Sequence, residues 1–235
     1  MAIAYVSEND ATGASAAPAV TLSVTAGNLL VLCLVTRNGT GTHNSVADSQ
    51  TQTWTQAGTP VNSTGDCSLW YCQNTFTGSL TVTGTLSASD TWYVNLSQWS
   101  GAHATVPFVS TDSHTTAVSA SQLHADTGLS AVAGQLFVGV AVQSSTISDE
   151  AYSGGTPFTA LQFTNSTNAR QWWGYRIAAG TESNVQGTWT QTSGGAAGRL
   201  ALFDQAGAGG GGTTITGLGR RLLGWTYQQG GLCQS

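Results

Sequence analysis

The sequence predicts an all-β protein: a two-sheet, jelly-roll-like sandwich built from an internal duplication, with a flexible C-terminal tail. Three observations carry this. The strand-like stretch "AGNLLVLCLVT" (26–36) returns, little changed, as "AGQLFVGVAVQ" (133–143). Only 7% of the 235 residues are charged, against roughly 25% in an average soluble protein. Polarity comes instead from Thr, Ser, Gln and Asn, with 30 Gly between them; that mixture weakens helices and suits a pleated surface. Finally, "SLTVTGTL" (79–86) and "SNVQGTWT" (183–190) alternate with a period of two, the signature of strands with two unlike faces.

The elements follow in order. "AVTLSVTAGNLL" (19–30) and "AVSASQLHADTGLSAVAGQLF" (117–137) each read as a strand, a turn and then the apolar strand. Trp54–Thr55 is echoed by Phe158–Thr159, "SLWYC" (68–72) by "QWWGY" (171–175), and Val82, Gly84 and Thr85 by Val185, Gly187 and Thr188. "VNLSQWSG" (94–101) closes the first copy and "LALFDQAG" (200–207) the second. Five blocks recurring in one order, with small drifts in spacing, describe a duplication with loop insertions. Clusters such as "TRNGTGTHNS", "NSTGD" and "TSGGAAG" supply the turns. The pseudo-repeats span about 19–101 and 115–207.

Two arrangements satisfy this pattern: a pair of separate β-modules, or halves interleaved in one sandwich over residues 1–206. The join "SGAHATVPFVSTDSH" is not a Gly/Pro-rich linker and strand-like text runs across it, which favours the interleaved form. The twin apolar strands are then expected as matched inner strands. "GAGGGG" supplies a flexible linker at 207–212. Beyond it, 213–235 carries Ile215, Leu218, Leu222, Leu223, Trp225 and Tyr227 around the basic pair Arg220–Arg221. Large apolar residues on a tether mark an interaction, so these eight are the expected partner-docking residues.

Function classes narrow next. A net charge of −5, six Arg and no Lys leave no basic stripe for nucleic acid. The apolar run 29–35 is too short to cross a bilayer, and "MAIAYVSENDATGASAAP" lacks the basic and apolar regions of an export signal. The four cysteines form no CxxC, and Cys67 and Cys72 point to opposite faces of one strand, so free thiols are expected. No nucleophile elbow, zinc helix or phosphate loop occurs, and neither an enzyme nor a cofactor is expected. Asp112 with His114, and His124 with Asp126, each share a strand face and form a weak candidate metal set. Trp70 and Trp173 stand for the candidate glycan-stacking aromatics, against the plainer reading in which they fill the core.

Together, "AGNLLVLCLVTRNGT", "VADSQTQTWTQAGTP" and "SLWYCQNTFTGSLTVTGTLSASDTWYVNLSQWSGA" resemble a β-sandwich module of virion surface proteins of tailed bacteriophages, in head-decoration or minor tail proteins. The resemblance covers about residues 1–206. It implies a structural role on the particle surface, assembly in the host cytoplasm, and no catalytic residues. The expected partners are the major capsid or tail structural protein and further copies of the chain, trimers suiting capsid threefolds. A host-glycan-binding module is the alternative.

Overall fold

We describe a computed structural model of the chain, covering residues 2–37, 39–63, 65–116, 121–123, 127–143, 147–149, 158–166, 169–191 and 195–207. The first half contributes β1 (Ala4–Ser15), β2 (Ala19–Val24), β3 (Leu29–Thr36), β4 (His43–Asp48), β5 (Thr55–Gln56), β6 (Val61–Asn62), β7 (Asp66–Gln73), β8 (Gly78–Leu86) and β9 (Asp90–Ser100). The second contributes β10 (Phe108–Thr116), β11 (Ser121–Leu123), β12 (Leu129–Ala131), β13 (Leu136–Gln143), β14 (Ile147–Asp149), β15 (Thr159–Ser166), β16 (Ala169–Ile177), β17 (Glu182–Val185), β18 (Thr188–Gln191) and β19 (Ala196–Phe203). All pairings are antiparallel. The all-β sandwich expected from the sequence is what the chain forms.

Among the described residues the halves share no sheet, which differs from the interleaving expected. The first half forms a sheet β1-β9-β3-β7-β5, with β6 also on β7, covered by β2-β8-β4. The second forms β10-β19-β13-β16-β15, accompanied by the small sheets β11-β18-β14 and β12-β17. Among the described residues, one isolated bridge, Ala102 to Gln205, pairs backbone across the boundary. What the halves share is a core. The larger sheets pack face to face, burying Leu29, Val31, Cys33 and Val35 of β3 together with Leu136, Val138, Val140 and Val142 of β13. The other face of β3 (Leu30, Leu32, Leu34) packs on Val20, Leu22, Leu80 and Val82 of the covering sheet. In the second half, Phe137, Trp172, Leu200 and Leu202 pack with Leu129, Ala131 and Val185.

This stacking explains the opening echo. A strand with water on one face alternates, whereas one covered on both faces is apolar throughout. β3 and β13 are buried at every position because each lies in the middle of a stack. The twin strands are indeed inner strands, one in each of two facing sheets.

The strand registers give a one-to-one correspondence between halves. Leu29 pairs with Trp99 as Leu136 pairs with Phe203. Val31 pairs with Tyr71 as Val138 pairs with Tyr175, and Tyr5 with Trp99 as Phe108 with Phe203. Even the irregularities recur: β1 shifts register between Tyr5 and Ser7, β10 between Phe108 and Ser110. This corrects one block of the sequence matching. Aligning "SLWYC" with "QWWGY" sets Trp70 against Trp173, but by register Trp173 corresponds to Leu69. A slip of one residue reverses every side chain. Trp70 accordingly enters the outer core of the first half and Trp173 the central core.

The turn after β9 sets where the second copy begins. Gly101 has φ +76°, and a Cβ there would lie 2.3 Å from the Ala2 carbonyl oxygen, a backbone atom that cannot swing aside. Gly101→Ala is therefore expected to destabilise the fold by about 1–3 kcal/mol, read as a lowered midpoint in urea unfolding.

Candidate functional site

The seam between the halves is built from the residues that the duplication repeats. Tyr5 stacks on Tyr175 (5.8 Å between centroids, 7° between planes), and Trp99 meets the same ring edge-on at 4.7 Å. In the related position Phe108 stacks on Tyr71 (5.5 Å, 10°), and Phe203 meets it edge-on at 5.6 Å. Each half thus clamps a tyrosine of the other. Such reciprocal contact is the mark of a twofold relation, and offset stacks and edge-to-face pairs are the geometries that rings prefer. Polar positions follow the same rule. Asn95 donates to Glu8 Oε2 at 2.8 Å; in the second half Arg199 takes the place of Asn95 and donates to Thr111, the counterpart of Glu8, at 3.0 Å. Arg199 also donates to the Thr59 carbonyl, across the seam.

Beside the Tyr71–Phe108 stack a groove of about 590 Å³ opens between the β5 edge and the connection from the first half to the second. It is lined by Tyr71, Phe108 and Gln73, by Gln52 with several threonines, and by the Thr105–Pro107 connection. The lining contains no charged side chain. Three features set it apart from ordinary surface. Thr51 has φ +55°, a region costly for a β-branched residue. Asp48 holds that loop in place by accepting from the Gln50 and Gln52 N–H groups and from the Trp54 indole. The side-chain amide oxygen of Gln73, Oε1, is buried with no hydrogen-bond partner, a state that costs about 1–3 kcal/mol.

A second polar cluster is wholly interior. His43 Nδ1 lies 2.7 Å from Ser68 Oγ, Thr36 Oγ1 lies 3.2 Å from His43 Nε2, and the Trp70 indole donates to Ser68 Oγ. Burial lowers the His43 pKa to about 4, against an opposing pull from Asp90. Neighbouring Asp66 is pushed up to about 6 by burial and by Asp90. Asp90 is burdened by burial, yet bonds from Thr40, Thr91 and Gly41 hold its pKa below the usual carboxylate value. A hydroxyl beside an imidazole suggests a nucleophile and its base, but Ser68 is 0% exposed and already engaged by Trp70. The cluster ties β3, β4 and β7 together. Nothing in the local sequence around His43, one histidine in a Gly/Thr turn, announces it.

The remaining sequence candidates separate as follows. Asp112 is a turn clamp: its carboxylate accepts from Thr127 N and Oγ1, Gly128 N and Ser113 N, and these bonds outweigh burial to keep its pKa low. His114 is two residues along the same strand, whereas His124 and Asp126 lie outside the described residues. No group of three metal-ligating side chains occurs among the described residues. Trp70 and Trp173 are buried, so neither offers a ring face to a glycan. Cys33, Cys67 and Cys72 are free and buried, with burial raising Cys67 and Cys72 to about 12. Ile215, Leu218, Arg220, Arg221, Leu222, Leu223, Trp225 and Tyr227 lie outside the described residues.

In comparison with known proteins, the chain matches no family model, no curated protein and no solved structure.

Proposed function

We propose that this chain is a non-enzymatic structural protein of a bacteriophage particle, a capsid decoration protein that displays the duplicated β body and is attached through residues 213–235. The observation that carries this reading is the contrast between body and tail. The body buries its own apolar strands in a continuous series of cores. Its exposed large apolar residues, among those described, are Tyr5, Val6, Val106, Val109 and Val132, all scattered or partly packed. Past the Gly-rich 207–212 the sequence still carries seven large apolar side chains that the body's cores do not need, and a partner's surface is where they gain most. The major structural protein of the capsid is that partner.

A nearly charge-free, hydroxyl-rich surface fits dense arrays of identical copies, because like-charge repulsion between neighbours stays small. Copies meeting at capsid threefolds satisfy closed symmetry. The buried Ser68–His43 pair is in keeping with a structural role, since both groups are consumed in holding strands.

Truncation after Gly207 tests attachment. The shortened chain is expected to fold with an unchanged unfolding midpoint but to be lost from purified particles. Normal incorporation of the truncated chain contradicts the reading.

A further inference from the structure

We infer that the groove beside Tyr71 and Phe108 is a binding site for an uncharged saccharide, and that it is a place where the two copies have diverged to make a ligand site. The duplication supplies an internal control. By strand register Phe108 corresponds to Tyr5, and two residues earlier in each copy Val106 in the connection stands where Ile3 stands at the start of the chain. Ile3 is 2% exposed and packed into the central core, whereas Val106 is 65% exposed and borders the groove. The same framework is therefore plugged by an isoleucine at one end of the seam and open at the other.

The chemistry of the lining selects the ligand. A sugar presents hydroxyls around its rim and C–H groups on its faces. The groove offers threonine hydroxyls and the Gln73 amide for the first, the Gln52 amide being engaged by Thr75 and Asp48, and the Tyr71–Phe108 ring pair for the second. Without a charged lining group, a phosphate, sulfate or carboxylate finds no counter-ion, so a neutral saccharide fits better than an anionic one. Its volume of about 590 Å³ lies within the ordinary range for small-molecule sites. Gln73 Oε1 is shut off from solvent without a partner in the protein, so a turn of the side chain toward the groove gives it a ligand hydroxyl to accept from. The φ of +55° at Thr51 is backbone strain placed at the rim, where strain is kept when a side chain must be aimed. Saccharide binding adds to the particle-surface reading without depending on it.

The test is saturation-transfer NMR on the full chain with four neutral probes, cellobiose, maltose, lactose and diacetylchitobiose, at about 5 mM, suited to Kd values near 1 mM. At least one probe is expected to bind, with little change in 0.5 M NaCl because no charge is involved. Gln73→Ala and Thr51→Gly are each expected to weaken that binding roughly tenfold. Gly accepts positive φ without strain, so Thr51→Gly should fold at least as well as the parent, which separates loss of binding from loss of structure. The inference is overturned if none of the four probes binds, or if binding is untouched by both substitutions.

Discussion

Replacing Trp99 with Ala is expected to cost about 3–5 kcal/mol of stability and to weaken both halves at once. Trp99 is 0% exposed. It lies in the central core, contacts Tyr5 of its own half, and meets Tyr175 of the other half at 4.7 Å. Its indole N–H also donates to Ser97 Oγ, so truncation leaves a cavity and a hydroxyl without its donor. Phe203 is its counterpart and holds Tyr71 in the same way, so Phe203→Ala should cost a similar amount. Because the lost contacts span the seam, calorimetry of either variant should still show one transition at a lower temperature. A variant that melts in two steps, one half surviving the other, would mean that the halves are stable separately and that the shared core matters little.

The second large effect concerns pH. Asp66 has a folded pKa of about 6 against 3.8 for an unperturbed group. Between these values the folded state holds a proton that the unfolded state has released, so Asp66 makes stability fall as pH rises through that window. His43 acts oppositely. Its folded pKa of about 4 lies below 6.5, so the unfolded state binds the extra proton and stability rises with pH from about 4 to 6.5. The two slopes oppose each other in the parent protein. Asp66→Asn removes one of them. The variant should be more stable than the parent at pH 7 by about 1–3 kcal/mol, and should lose that advantage steadily as pH falls from 6.5 to 4. Denaturant unfolding at four pH values between 4 and 7 reads both effects. Parallel pH profiles for parent and variant would show that Asp66 does not titrate abnormally.

Much of the fold was legible in the residues because period and burial leave direct marks. The unbroken apolar runs of β3 and β13 reported strands covered on both faces, and the alternation "SLTVTGTL" became β8, with Leu80, Val82 and Leu86 buried. The duplication was visible for the same reason. Strand partnership was not. Continuous strand-like text across residues 101–115 is compatible with interleaving and with two stacked sheets. The choice rests on hydrogen bonds between distant strands, which periodicity does not encode. The slip at Trp70 and Trp173 has a related cause: aromatic text matches aromatic text at either of two offsets, and only the register tells the faces apart.

The candidate site was less legible still. A groove formed by a strained Thr51, Gln73 and the connection at Thr105–Pro107 joins three distant segments, and each alone reads as an ordinary turn or strand end. Trp70 and Trp173 lie in the core, as the plainer reading of the sequence has it, because large aromatics supply the area that such a low-charge chain needs inside. The Asp112–His114 spacing signalled a shared strand face, yet Asp112 spends its lone pairs on the turn at Thr127–Gly128.

The most direct test of the account is to count this chain in purified particles by quantitative mass spectrometry, against the major capsid protein. A decoration protein anchored by its tail should appear in a fixed ratio matching capsid lattice positions, falling to background when residues 208–235 are removed. Absence of the full-length chain from the particles would contradict the account.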